Sequence, residues 1–374
     1  MPEMTDSASA LDRIRAEIDG IDLQLQALLN RRAACAQQVA EVKKAELLAA
    51  HGHVEPGQVN FYRPEREAQV LRRVMARNDG PLPATEVAHI FREIMSACLA
   101  LEKPMTVAFL GPEGTFTQAA AVKHFGYAVL SRPLATIGAV FEAVESGESD
   151  YGVVPVENST EGAVGGTLDL LLANPLKVCG EVRLRIHQQL MSRAEGIGAA
   201  RRIYSHAQSL AQCHEWLNRN LPHLPRIPVA SNAEAARMAS EDPESCAIAG
   251  DAAAQLYGLN ILAPNIEDDP NNTTRFLVIA DHDAGPSGKD RTSLVFSAPN
   301  RPGAIHSLLE PMARHGVDMT KLQSRPARSG LWEYVFYADI NGHREDPEVA
   351  AALRELDERA AFVKIIGSYP VAAI

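Results

Sequence analysis

Cysteine is scarce here: five in 374 residues. They are odd in number and widely scattered (Cys35, Cys98, Cys179, Cys213, Cys246), with no Cys-x-x-Cys pair. That pattern argues against a disulfide framework or a thiolate zinc site and fits reduced thiols in a cytoplasmic protein. No metal or cofactor is expected. Basic residues are outnumbered, 36 Lys and Arg against 47 Asp and Glu, for a net charge of −11. Nucleic acid and membrane surfaces are therefore poor candidates for the main partner. No apolar run is long enough to cross a bilayer, and the N-terminus lacks a basic-then-apolar leader. The expectation is a soluble cytoplasmic chain, too long for one core and built of two or three domains. In so acidic a chain an anionic substrate needs a locally basic pocket, so clustered Arg and Lys are informative.

Proline is missing from Leu11 to Ala50, and Gly20 is the one glycine there. Apolar residues recur at Ile14, Ile18, Ile21, Leu25, Leu28 and Leu29, a helical stripe. A continuous helix over that span is about 50 Å long at ~1.5 Å per residue. It cannot bury such a stripe against its own chain, so pairing with a second subunit is expected. The stretch 51–58 (HGHVEPGQ) reads as a break. A second helix is expected from Pro64, with Pro in its first turn, to Arg77. A turn at 78–83 follows, and then a third helix capped by Thr85 and ending near Leu101. Arg32 and Lys43 are about three turns apart and share a face, whereas Arg15 lies roughly 25 Å from Arg32 along the axis. One helix cannot aim both arginines at one small ligand, but two antiparallel copies can. The plainer reading is a solvated basic face.

Thr106–Leu110 reads as a strand running into Gly111-Pro112-Glu113-Gly114-Thr115-Phe116, a turn whose backbone N–H groups suit anions. Strand and helix signals then alternate to about Asp281, which predicts a mainly parallel sheet split into two lobes. Within this region Val153–Val156 reads as a buried strand stopping at Glu157-Asn158-Ser159-Thr160, ahead of glycines and a helix. Polar residues at a strand's carboxyl end, opening onto a helix N-terminus, are where α/β sheets take anionic ligands. An ordinary strand–loop–helix corner is the bland alternative. The stretch 281–290 (DHDAGPSGKD) reads as a linker. Beyond it the order strand, helix, strand, strand, helix, strand predicts a ferredoxin-like sandwich, a fold silent about function by itself.

Three stretches in order, GPEGTF at 111–116, GVVPVENSTEGAVGGTLD at 152–169 and NTTRF at 272–276, resemble the signature of prephenate dehydratases. Nearly the whole chain is similar to the bifunctional P-proteins, in which chorismate mutase is fused to prephenate dehydratase and a C-terminal ACT domain. The resemblance implies a multidomain fold. Residues 1–102 form an all-α chorismate mutase, an intertwined helical dimer. Residues 105–281 form a two-lobed α/β dehydratase of periplasmic-binding-protein-like architecture, with its active site between the lobes. Residues 291–374 form an α+β ferredoxin-like ACT regulatory domain. Implied substrates are chorismate and prephenate, the effector L-phenylalanine, and the assembly a homodimer or higher homo-oligomer. The nearest rival is a monofunctional dehydratase whose helical arm only dimerises; the presence of Arg15, Arg32, Lys43, Arg66 and Glu67 disfavours it. A ligand-binding sensor is the other alternative, but no DNA-binding or kinase-like segment supports one.

By the same resemblance, Arg15 (given across the dimer), Arg32 and Arg66 hold carboxylates, Glu67 holds the ring hydroxyl, and Lys43 donates to the ether oxygen. Arg63, Cys98 and Glu102 stand where the best-known pattern has Asp, Ser and Gln. An ionised glutamate cannot donate a hydrogen bond, so Glu102 is expected to work protonated. In the dehydratase, Thr274 is implied as the donor at the leaving hydroxyl, with Arg275 as a guanidinium for a carboxylate and Phe276 as an aromatic wall. Gly114, Thr115, Glu157, Asn158, Ser159 and Gln208 are implied pocket residues, and His206 is a secondary candidate as proton carrier. In the ACT domain, Asn300, Gly303, Ala304 and Ile305 are implied to meet Gln323, Ser324, Arg325 and Pro326 at a dimer interface and bind the amino acid. Ile305 and Gln323 depart from the usual Leu and Glu.

Overall fold

The computed structural model describes residues 3–51, 62–298, 301–327 and 334–374. The N-terminal arm is α1 (Glu3–His51), α2 (Pro64–Arg77) and α3 (Ala84–Glu102). The 49 residues of α1 run unbroken, which the absence of proline permits. Most of the expected break after it lies outside the described residues. Pro64 opens α2, where a missing N–H costs nothing. Thr85 does not cap α3: Pro83 holds that position and no side-chain cap bond forms. α3 packs against both α1 and α2, yet Ile14, Ile18, Ile21, Leu25 and Leu28 stay exposed along α1.

The central region has two sheets. The first lobe comprises β1 (Thr106–Leu110), α4 (Phe116–Phe125), β2 (Leu130–Leu134), α5 (Ile137–Glu145), β3 (Tyr151–Asn158), β4 (Gly162–Ala163), α6 (Gly165–Ala173) and β5 (Lys177–Arg185). The second comprises β6 (Gln189–Ser192), β7 (Arg202–His206), α7 (Ala207–Gln212), α8 (His214–Asn220), β8 (Arg226–Val229), α9 (Asn232–Glu241), β9 (Ser245–Ala249), α10 (Asp251–Tyr257) and β10 (Asn260–Ala263). The chain then returns to the first lobe as β11 (Thr273–Ala280). The sheet orders are β2-β1-β3-β11-β5 and β10-β6-β9-β7-β8.

Neither sheet is mainly parallel, contrary to expectation. β11 arrives from the other lobe without a helical crossover, which a parallel neighbour requires, and so inserts antiparallel between β3 and β5. β6 likewise pairs antiparallel with β9 and β10.

The C-terminal region is β12 (Asp290–Ser297), α11 (Ala304–Arg314), β13 (Met319–Pro326), β14 (Tyr334–Asn341), α12 (Pro347–Arg359) and β15 (Phe362–Pro370). Its strands order β13-β14-β12-β15, all antiparallel, as in a ferredoxin-like sandwich. Helices cover one face, where Leu308, Met312, Leu353 and Leu356 meet Phe296 and Phe336. The other face is also buried: Val295, Tyr337 and Ile366 share a core with Val154, Val178 and Leu277 of the first lobe. The approach is closest at Gly367, where a Cβ would lie 2.1 Å from the Val178 carbonyl oxygen.

The stretch 281–290 is not a free linker. Ala284 and Asp290 are buried, and the Asp290 carboxylate accepts from the backbone N–H groups of Ser287 (2.8 Å) and Gly288 (3.0 Å). Short polar side chains that bond their own backbone make ordered turns. Arg72 on α2 donates to the carbonyls of Lys289 and Val371, at 2.9 and 3.1 Å, tying the arm to the C-terminal sheet. Among the described residues no helix is long and apolar enough to cross a membrane.

Candidate active sites

A cavity of about 720 Å³ opens among α1, α2 and α3, with Gly285 and Pro286 on its wall. Arg32 and Lys43 enter it from α1, Arg66 and Glu67 from α2, and Cys98 and Glu102 from α3, with Arg63 at the start of α2. Seven of the residues picked from the sequence thus share one enclosure. Arg15 is not among them: its side chain is 66% exposed and 3.7 Å from Asp12. Arg63 pairs with Glu65, Nε to Oε1 2.6 Å. Burial pushes the Glu102 carboxyl up, with Lys43 and then Arg32 pulling against it.

Glu67 is held in place by a residue the sequence reading passed over. Arg92 Nε lies 3.2 Å from Glu67 Oε1, and Arg92 Nη1 donates to the Lys123 carbonyl on α4 at 2.6 Å. Burial raises the Glu67 pKa, Arg92 opposing. A signal existed: Ala88, Arg92 and Ser96 are buried on α3 at four-residue spacing. An arginine in a buried stripe needs a carboxylate.

The second site lies between the lobes, where the carboxyl ends of β1, β3, β7 and β9 converge. Gly114 packs against Ala253 of α10, Gly250 against the Phe116 ring, and Gln212 Nε2 reaches Glu161 Oε1 at 3.5 Å. Asn158, the last residue of β3, is in register with Thr274 of β11. Its Nδ2 donates to Thr274 Oγ1 at 2.9 Å and to Asn272 Oδ1 at 2.8 Å. Its Oδ1 accepts from Thr160 N (3.0 Å), Thr160 Oγ1 (2.6 Å) and Glu161 N (3.2 Å). Three donors on one side leave the amide a single orientation. Thr274 Oγ1 is therefore an acceptor towards Asn158, and its own proton is aimed elsewhere. Ser159 stitches the loop to β11, its Oγ accepting from Thr273 N at 3.0 Å.

Thr115 and Gly114 shape the rim. Thr115 Oγ1 caps α4 by accepting from Gln118 N at 3.4 Å, and Gly114 sits at φ +82° with its N–H on Gln118 Oε1 at 2.6 Å. A side chain at that φ is strained. His206 caps α7, its Nδ1 accepting from Gln208 N at 3.4 Å, and both side chains are half-buried.

Three residues expected in this cleft are elsewhere. Strand side chains alternate, so with Asn158 and Thr274 facing one way, Glu157 and Arg275, also in register, face the other. Glu157 Oε2 lies 2.9 Å from Lys321 Nζ of β13. Arg275 reaches Glu181 (2.8 Å), Asp339 (2.5 Å) and the Tyr369 hydroxyl (2.8 Å). Phe276 is 2% exposed, a core residue beside Phe109 and Phe125 rather than a cleft wall.

In the C-terminal sandwich, Gly303 (φ +76°) precedes α11, Ala304 is buried and Ile305 is exposed. Ser297 and Arg325 are both in register with Val335, which puts Gln323, Ser324, Arg325 and Pro326 at the same end of the sheet as the segment leading to α11. Asn300 lies outside the described residues. Arg325 is turned to the first lobe, its guanidinium over Gly165 and 3.3 Å from Asp169 Oδ1.

Family models match in three blocks: chorismate mutase type II over residues 14–103, prephenate dehydratase over 107–284 and ACT domain over 292–358. The chain is 53% identical over 364 residues to the bifunctional chorismate mutase/prephenate dehydratase of Neisseria gonorrhoeae, covering 96% of this chain and 97% of that protein. A crystal structure of prephenate dehydratase from Arthrobacter aurescens in complex with L-Phe is 34% identical with a TM-score of 0.66, over 71% of this chain and 90% of that one. A structure described as GqqA, a novel type of quorum quenching acylase, matches at 31% identity and a TM-score of 0.66, over 71% of this chain and 98% of that one.

Proposed function

The chain belongs to the bifunctional chorismate mutase/prephenate dehydratase family, and we propose that the α1–α3 cavity carries its first reaction and the Asn158–Thr274 cleft its second. It rearranges chorismate to prephenate and converts prephenate to phenylpyruvate, under feedback by phenylalanine.

The rearrangement has no covalent intermediate, so the protein's part is positioning and electrostatic stabilisation. In the cavity Arg32 and Arg66 hold carboxylates, Glu67, fixed by Arg92, takes the ring hydroxyl, and Lys43 donates to the ether oxygen as charge builds there. Glu102, its pKa raised by burial, shares that donation while protonated. Cys98 contributes wall, and Arg63, paired with Glu65, sits at the rim. Arg15 reaches the site of a second copy, and the exposed stripe of α1 supports that pairing into a homodimer.

In the second reaction the ring carbon–carboxylate bond breaks, its electron pair enters the ring, and the hydroxyl leaves opposite as the ring becomes aromatic. Thr274 is the donor to that departing oxygen. The observation that carries this reading is the Asn158 Nδ2 bond to Thr274 Oγ1, which leaves the threonine proton for the substrate. Ser159, Gln208 and His206 complete the cleft, and the α4 N-terminus set by Gly114 and Thr115 supplies backbone N–H groups for a carboxylate. L-phenylalanine binds at the end of the ACT sheet shared by Gly303–Ile305 and Gln323–Pro326, as the phenylalanine-bound relative supports. The free cysteines favour the cytoplasm.

Thr274→Ala is the test. Phenylpyruvate formation collapses while chorismate consumption survives; unchanged dehydration removes Thr274 from the mechanism.

A further inference from the structure

Behind Thr274 lies a buried charge network that neither reaction uses. Arg275 donates Nε to Glu181, Nη1 to Asp339 and Nη2 to the Tyr369 hydroxyl. Glu181, whose side chain is fully buried, also takes Arg291 of β12. Ser293 donates to Asp339 and bonds the Tyr369 hydroxyl. Arg275 and Glu181 belong to the dehydratase sheet, while Asp339, Tyr369 and Arg291 belong to the ACT sheet. Burial works against the Asp339 carboxylate, but Arg275, Ser293 and Arg291 outweigh it and hold its pKa below the usual value.

The β11–β3 register shifts between Arg275 and Phe276, so the ladder is interrupted one residue past Thr274. A bulge beside a site re-aims side chains, and something else must fix the strand there. A guanidinium with all three nitrogens engaged has its plane fixed. The facing strand end is treated alike: Glu157, next to Asn158, is held by Lys321 of β13. Lys321 stands two residues before Gln323, in the strand assigned above to the effector.

We propose that Arg275 and Glu157 are positioning residues. Through Asp339 and Lys321, the docked ACT sheet sets the distance between the Asn158 amide and the Thr274 hydroxyl, and so the dehydratase rate. The proposal rests on the reading of Thr274 as donor. It makes the ACT sheet part of the support of the catalytic pair, with β13 linking effector site to cleft.

The test uses the full-length enzyme and changes only ACT side chains that touch no substrate: Asp339→Asn, Lys321→Met and, as the conservative control, Lys321→Arg. A misplacement near 1 Å costs about 10²-fold in rate. The expected result is a fall in dehydratase kcat of about tenfold or more in Asp339→Asn and Lys321→Met, with KM for prephenate changed less than about threefold and chorismate mutase kcat unchanged. Lys321→Arg, which keeps the ion pair, stays within about twofold of the parent. Dehydratase kcat within about twofold of the parent in both disruptive variants overturns the proposal. So does an equal loss of both activities in Lys321→Met, which marks a merely structural contact. Thr274→Val run alongside separates the two ideas: if it turns over normally the donor reading falls, and if it is inactive while the ACT variants are normal only the positioning falls.

Discussion

Replacing Asn158 by aspartate tests the cleft at its most specific point. The acceptor side of Asn158 serves Thr160 N, Thr160 Oγ1 and Glu161 N, and a carboxylate keeps that role, so the loop retains its turn. The donor side is lost: Asn272 Oδ1 at 2.8 Å faces another acceptor, and Thr274 Oγ1 at 2.9 Å keeps a bond only by giving its own proton. Two neutral hydrogen bonds contribute about 1 kcal/mol each, which for a domain the size of the dehydratase block lowers Tm by roughly 4–8 °C at about 2–4 °C per kcal/mol. The rate effect is larger. The Thr274 proton turns to the introduced carboxylate, because a charge-assisted bond is roughly twice as strong as a neutral one. The leaving hydroxyl then loses its donor, a loss comparable with removing one oxyanion-hole donor, about 10²–10³ in kcat or roughly 3–4 kcal/mol. Burial at this position also raises the pKa of the new carboxyl, and its protonated form can donate to Thr274 again. The assay is phenylpyruvate formation from prephenate across pH, with chorismate consumption as the fold control. Asn158→Asp is expected to recover dehydratase activity as pH falls, relative to the parent. A rate within about threefold of the parent, or a loss independent of pH, refutes the orientation argument.

Two further outcomes follow from the geometry. Burial raises the Glu102 pKa, so its neutral, donating form persists above the ordinary carboxylate range and is lost as pH rises through the raised value. Chorismate mutase activity therefore falls on that limb, and Glu102→Gln flattens it; an identical limb in the variant removes Glu102 from the reaction. Gly367→Ala puts a methyl 2.1 Å from the Val178 carbonyl oxygen, where a backbone atom cannot rotate away. Overpacking of this kind costs about 1–3 kcal/mol or more. A lower thermal midpoint and weaker dehydration, with the mutase rate preserved, are expected; an unchanged midpoint means the sheets separate freely.

Much of the architecture was legible because its signals are local. Pro64 and the Asn78-Asp79-Gly80 turn bracket α2, and the apolar stripe with no proline marks α1. The ferredoxin-like order follows from alternating periods. What stayed hidden is non-local. Nothing in residues 273–280 says that the strand inserts antiparallel between β3 and β5, because that depends on where the second lobe returns the chain. The placement of Arg275 was readable and was missed: side chains at i and i+1 of a strand oppose each other, so Thr274 and Arg275 cannot both face one cleft. Residues 281–290 show the reverse problem. Their composition suits a solvated linker, yet the same Ser and Asp side chains make the turn bonds that let the segment pack. Arg92 hid because a lone helical arginine is usually solvated, and only its spacing with Ala88 and Ser96 marked it as buried.

The turning away of Arg275 also fits the chemistry of the cleft. The proposed mutase cavity gathers Arg32, Lys43 and Arg66; both carboxylates of its dianionic substrate survive the rearrangement, so strong cationic binding is compatible with turnover. Prephenate must instead surrender one carboxylate as neutral carbon dioxide. A guanidinium paired to that group stabilises the reactant, and its attraction fades as charge moves into the ring. An interaction stronger in the ground state than in the transition state slows the step. The side chains bonded to this strand end, Asn158, Asn272 and Ser159, are neutral, a set that on the proposed reading solvates a departing hydroxyl without pinning the carboxylate that must leave. The carboxylate retained in the product can be held at the α4 N-terminus by N–H groups that bind it equally before and after reaction. In the cleft a strong cation is thus a liability at the one carboxylate that is lost, while behind β11 the same guanidinium is placed to position the threonine, as proposed.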